Sequence, residues 1–146
     1  MGTDRAELER VVRQANRARR AGNAVDDAIA AALDEPDRRL VAYGTLRPGE
    51  SNEHVLTGAR GTWSTATVAG KLGTWHGYPM LRPGGTGGAG GAGGAGGAIA
   101  VMVLESADLP GLWPRLDRFE GPAYRREWIV YERDRVPAVG SVYVAA

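Results

Sequence analysis

The chain has 146 residues, a formal net charge of +1 and 43% apolar residues, enough for one core plus an appendage. It has no cysteine, which excludes disulfides, thiolate catalysis and thiolate metal sites, and its near-neutral charge provides no bulk field for nucleic acid or an anionic membrane. No stretch of 18 apolar residues is present and the N-terminus is charged, so the expectation is a soluble cytoplasmic protein with neither a nucleic-acid nor a membrane partner.

Residues 4–34 read as two short helices. Leu8, Val11, Val12 and Ala15 recur at helical spacing and Gly22 stops the first helix. Asn23 is the expected N-cap of the second, with Asp26 and Asp27 in its first turn and Val25, Ala28, Ile29, Ala32 and Leu33 on its apolar face; Pro36 ends it. Arg10, Arg13, Arg17, Arg19 and Arg20 offer a basic face, but Glu7 and Glu9 dilute it and no aromatic residue accompanies it for base stacking. Residues 1–38 therefore read as a helical extension that packs on the domain or contacts a partner, including a second copy of the chain.

From residue 39 the pattern is mostly β. Residues 40–43, 62–72, 76–81, 98–104, 124–131 and 141–144 are expected strands, with Gly73 and Gly77 as breaks and a turn around 137–140. The near-continuous apolar run at 98–104 predicts a central strand. Residues 84–97, "GGTGGAGGAGGAGG", lack the side chains to bury appreciable area and carry no phosphate-loop lysine, so they read as a flexible Gly-rich insertion in a domain spanning 39–146.

One carboxylate stands out of place. Leu112, Trp113, Leu116 and Phe119 form a helical stripe, with Pro114 expected in the first turn, and Glu120 follows Leu116 by four residues and Leu112 by eight. That spacing sets Glu120 on or beside the apolar stripe, near the negative end of the helix that Gly121-Pro122 terminates. Desolvation and the helix dipole both raise the pKa of a carboxylate so placed, as suits a general acid or base. The spacing also accommodates a carboxylate that snorkels at the helix end or pairs with Arg125 or Arg126. His54 and His76 lack a metal-ligand arrangement and read as loop residues; neither Ser51 nor Thr45 has an adjacent base that would make it a nucleophile.

"YGTLRPGESN" at 43–52, "GYPML" at 77–81, "LDRFEGPAYRR" at 116–126 and the late "SVYV" resemble, in that order, the γ-glutamylcyclotransferase-like (AIG2-like) family over roughly residues 39–145. The resemblance implies an α+β fold: a small mixed β-barrel with one core helix, to which the N-terminal helices are an addition. It implies an enzyme that closes the γ-glutamyl part of a small-molecule substrate to 5-oxoproline and releases an amine, without metal or organic cofactor. Glu120 matches the family's catalytic glutamate. Tyr43, Gly44, Thr45 and Leu46 match the loop that binds the glutamyl group, and Tyr124 matches a tyrosine near that site. The alternative is a non-catalytic ligand-sensing or scaffold domain of the same fold.

Overall fold

The computed structural model describes residues 4–84 and 97–146. Helix α1 (Arg5–Arg20) is capped by the Asp4 side chain on the Ala6 N–H, and Gly22 follows it in the left-handed region at φ 84°. Helix α2 (Asp27–Ala32) is capped by Asp26, which accepts from the Ala28 N–H at 2.9 Å, rather than by the expected Asn23. The later start shortens α2 to six residues. Leu33 is buried, whereas Ile29, expected on the apolar face, is exposed. Pro36 opens a 3-10 turn, Pro36–Arg38, that leads into the sheet.

The strands are β1 (Arg39–Ala42), β2 (Thr62–Trp75), β3 (Tyr78–Pro83), β4 (Gly97–Glu105), β5 (Tyr124–Arg133) and β6 (Val136–Ala145), with helix α3 (Leu109–Glu120) between β4 and β5. Two expected breaks move. Gly73 stays in the ladder opposite Met80, and the chain reverses at His76-Gly77, both with positive φ, as a two-residue hairpin turn requires. The β5–β6 reversal is at Asp134-Arg135, again both with positive φ, not at 137–140. Gly140 lies inside β6 because a Cβ there would meet Val41 Cγ2 at 2.9 Å; its role is close packing, not turning. Of the Gly-rich insertion at 84–97, residues 85–96 lie outside the described ones.

Sheet order β2-β4-β1-β6-β5 closes on itself where Thr67 pairs with Glu132 and Val68 with Tyr131, and β3 adds an extra strand to β2. β1 and β6 run parallel and the other pairs antiparallel. The small mixed barrel with one core helix, expected from the sequence, is the fold that forms, and the 98–104 run is the core of β4, flanked by β1 and β2.

Alternation along the strands sorts side chains into layers. Val41, Val68, Val103, Tyr131, Val142 and their neighbours fill the barrel. Leu40, Ala42 and Leu104 point outward and are covered by Leu109, Trp113 and Leu116 of α3. β1 is thus buried on both faces, which explains why it reads as a continuous apolar run. Leu8, Val12 and Ala15 of α1 cover Trp128, Val130 and Val139 elsewhere on the outside. Buried Asn16 completes that contact, accepting from the Trp128 N–H and donating to the Trp128 carbonyl, each at 2.9 Å. It satisfies main-chain groups of β5 beyond the short β2–β5 seam. The basic face of α1 is partly engaged within the molecule: Arg19 stacks over Trp128 at 4.5 Å and Arg20 reaches Glu127 at 3.2 Å. No helix among the described residues is long and apolar enough to cross a membrane.

Candidate active site

β1 ends at Ala42, and the chain then makes two successive turns. Arg47 N–H donates to the Gly44 carbonyl at 3.2 Å and Glu50 N–H to the Arg47 carbonyl at 3.0 Å. Asn52 clamps the first turn, its backbone N–H reaching Thr45 O at 2.9 Å and its side chain Thr45 Oγ1 at 2.8 Å. Leu46 is buried in the cluster beneath α3. The loop is therefore held from both ends. Among the described residues, the backbone N–H groups of Gly44, Thr45 and Leu46 have no acceptor, and these three residues line a cleft of about 370 Å³.

The opposite wall comes from α3. Its buried residues, Leu109, Trp113 and Leu116, seat the helix on the barrel; Trp113 Nε1 also donates to the Asp37 carbonyl at 2.9 Å. Pro114 falls in the second turn, not the first, and Phe119, expected on the buried stripe, is exposed at the cleft. Glu120 is the last helical residue and lines the cleft. Gly121, at φ 80°, then breaks the helix in a conformation that strains any other L-residue and directs the chain into β5.

Neither expected arginine neutralises Glu120. Arg125 bonds Glu127 at 2.6 Å, while Arg126 bonds Asp117 at 3.0 and 3.3 Å and stacks over Trp113 at 4.5 Å. Burial alone pushes the Glu120 carboxyl up to about 7. Asp117, one turn earlier, moves the other way: its partial burial is outweighed by the bonds from Arg126 and the Tyr143 hydroxyl, and its pKa lies below the ordinary range. Two carboxyls on one helix are thus pushed apart, one held ionised and one poised near neutrality.

Three tyrosines complete the walls. Tyr43 donates its hydroxyl to the Tyr143 carbonyl at 2.6 Å, and burial pushes its pKa up to about 12, so it contributes a fixed ring rather than a free phenol. Tyr143 is raised by burial and by its 2.6 Å bond to Asp117. Tyr124 donates to the Pro79 carbonyl at 3.1 Å; burial and the nearby Glu120 raise it as well. All six residues predicted for the site, Tyr43, Gly44, Thr45, Leu46, Glu120 and Tyr124, line this one cleft. Asn52, Tyr143, Trp75 and Tyr78 also line it and were not predicted; the end of β2 and the start of β3 bring in the last two, on a hairpin that sequence spacing does not connect to the loop.

The family model for gamma-glutamyl cyclotransferase, AIG2-like proteins matches residues 40–146. In fold the chain is similar to YkqA from Bacillus subtilis, at 25% identity and a TM-score of 0.56, over 74% of this chain and 35% of that one. The chain thus spans about a third of the length of that protein. It is also similar to an AIG2-like protein from mouse, at 20% identity and a TM-score of 0.54, over 75% of this chain and 77% of that one. An uncharacterized protein from Pyrococcus horikoshii has the same fold at 20% identity and a TM-score of 0.51, over 73% of this chain and 76% of that one. No curated protein sequence matches significantly.

Proposed function

The chain belongs to the gamma-glutamyl cyclotransferase, AIG2-like family, and from that premise we propose that it is an enzyme that cyclises a γ-glutamyl amide to 5-oxoproline and releases the amine. The observation that carries this reading is the pairing of a desolvated Glu120 carboxyl with three main-chain donors at one cleft, none of which has a partner among the described residues.

The substrate's α-ammonium is inert until it loses a proton, which Glu120 accepts. The freed amine attacks the side-chain amide carbonyl, forming the ring C–N bond and an oxyanion. The N–H groups of Gly44, Thr45 and Leu46 provide donors for the α-carboxylate and for that oxyanion. The original amide C–N bond then breaks as its nitrogen takes that proton from Glu120; the carboxylate so regenerated removes the surplus proton from the ring nitrogen and passes it to the departing amine, which leaves as its ammonium beside 5-oxoproline. The reaction rearranges the atoms of a single molecule and needs no co-reactant. A carboxyl near pH 7 is present in both forms at neutrality, so it serves proton transfers in both directions. Fixing the tethered amine in its ring-closing pose contributes roughly 7–11 kcal/mol in well-oriented cases. Neither crowding nor a positive φ demands glycine at position 44, where an added Cβ would sit 3.7 Å from Pro79; close approach of a ligand to the main chain gives that glycine a reason.

The test is incubation of the purified chain with γ-glutamyl amides and detection of 5-oxoproline by chromatography. Enzyme-dependent release is expected. Ligand binding without product across the whole set would instead establish a ligand-sensing domain and refute the enzyme.

A further inference from the structure

All three exposed Trp, Tyr or Phe side chains among the described residues stand at the same cleft: Trp75 (45% exposed), Tyr78 (54%) and Phe119 (41%). Trp75 and Tyr78 are a cross-strand pair flanking the His76-Gly77 turn, and His76 packs edge-to-face against the Trp75 ring at 4.1 Å. Phe119 enters from the other wall, directly before Glu120 on α3. A fold that buries its other Trp and Tyr rings wholly or partly, yet leaves three apolar rings in water around one opening, presents a surface shaped to receive an apolar group.

Charge narrows the occupant. No described residue lining the cleft carries a positive charge. Arg47, adjacent to Leu46, does not line it; its guanidinium bonds the Gly44 carbonyl at 3.0 Å and lies 3.8 Å from Glu50. A leaving group bearing a carboxylate would find no counter-charge at this rim and would approach the Glu120 carboxyl. The main-chain donors at 44–46 serve the glutamyl end, which leaves the aromatic rim for the other side of the scissile amide.

We propose that Trp75, Tyr78 and Phe119 form the leaving-group subsite and select γ-glutamyl amides of arylalkyl amines over γ-glutamyl amino acids. This rests on the cyclotransferase reading of the same cleft. An arylalkyl substituent stacks between the hairpin and α3, while the amide nitrogen it carries stays beside Glu120 to receive the returning proton.

The experiment compares kcat/KM for 5-oxoproline release from γ-glutamylbenzylamide, γ-glutamylethylamide and γ-glutamylglycine. The ethyl and benzyl pair tests the ring, and the ethyl and glycine pair tests the carboxylate. The enzymes are the wild type, Trp75→Ala/Tyr78→Ala, and Leu72→Ala, whose exposed side chain lies on the same hairpin outside the cleft. Benzylamide is expected to exceed ethylamide by about tenfold or more, and ethylamide to exceed the glycine conjugate. The benzyl preference falls to within about twofold in the double variant and survives in Leu72→Ala. Should the double variant lose its circular-dichroism signature, Tyr78→Ala alone, at the most exposed ring, carries the same comparison. Equal kcat/KM for the three substrates, or a benzyl preference that the aromatic variants retain, overturns the subsite and leaves the cyclotransferase reading standing. No 5-oxoproline from any substrate overturns that reading, and the subsite with it.

Discussion

Glu120→Gln is expected to lower 5-oxoproline release by about 10²–10⁴-fold, the range for loss of a general acid–base group, with γ-glutamyl amide affinity little changed. Glutamine keeps the shape of the side chain and cannot accept the ammonium proton. The wild-type carboxyl has no hydrogen-bonding or ion-pair partner among the described residues, so the exchange orphans no group in the fold. Its pKa also fixes the sign of the stability effect. A carboxyl raised to about 7 is favoured neutral in the folded state, so stability is fully present below its ordinary value near 4.5 and is lost as pH rises through about 7. Glutamine escapes that loss, and the variant is expected to melt no lower than wild type at pH 8. An inactive variant that melts normally assigns the defect to chemistry; wild-type-like release of 5-oxoproline removes Glu120 from the mechanism.

Leu116→Ala has the largest expected effect on stability, about 2–5 kcal/mol by urea unfolding, as for other fully buried leucines cut to alanine. Leu116 has no exposed surface and packs with Leu40, Leu104 and Trp113 between the helix and the barrel wall. It lies one turn before Glu120, so the cavity left behind also loosens the element that presents the carboxyl. A drop in kcat should accompany the loss of stability, because ring closure depends on placement of the base. An unfolding free energy within 1 kcal/mol of wild type would mean that the α3 stripe is not what seats the helix.

The Glu120 side of the cleft and its facing loop are legible in the sequence because their signal is local. Residues 116 and 120 are one helical turn apart, so a polar side chain continuing an apolar stripe identifies itself, and the Tyr43–Leu46 loop follows directly from a strand. What escaped depends on contacts between distant segments. Trp75 and Tyr78 meet the cleft through the β2–β3 hairpin, and Asn52 reveals its role when the chain folds back on Thr45. The misplaced β5–β6 turn has the same origin. Pro137 and Gly140 carry turn-like chemistry, yet Gly140 answers to the Val41 side chain across the barrel, and the reversal falls on Asp134-Arg135, which adopt positive φ without a glycine. Asp26 takes the place of Asn23 as the cap: both side chains can accept from a helix N–H, but Asn23 belongs to the end of α1, its backbone N–H donating to the Ala18 carbonyl at 2.9 Å. Phe119 reads in the sequence as part of the helical stripe, and nothing local marks Trp75 or Tyr78; only the fold leaves all three rings in water at the cleft mouth.

The carboxyl 13C chemical shift of Glu120, followed from pH 4 to pH 9 and assigned by its loss in Glu120→Gln, tests the physical basis of the mechanism most directly. Desolvation beside the donor loop should give a midpoint about 7, with the pH dependence of 5-oxoproline release tracking the same titration. A midpoint at the ordinary value near 4.5 would show a water-exposed side chain with no base poised for the ring closure, and would contradict the role assigned to Glu120.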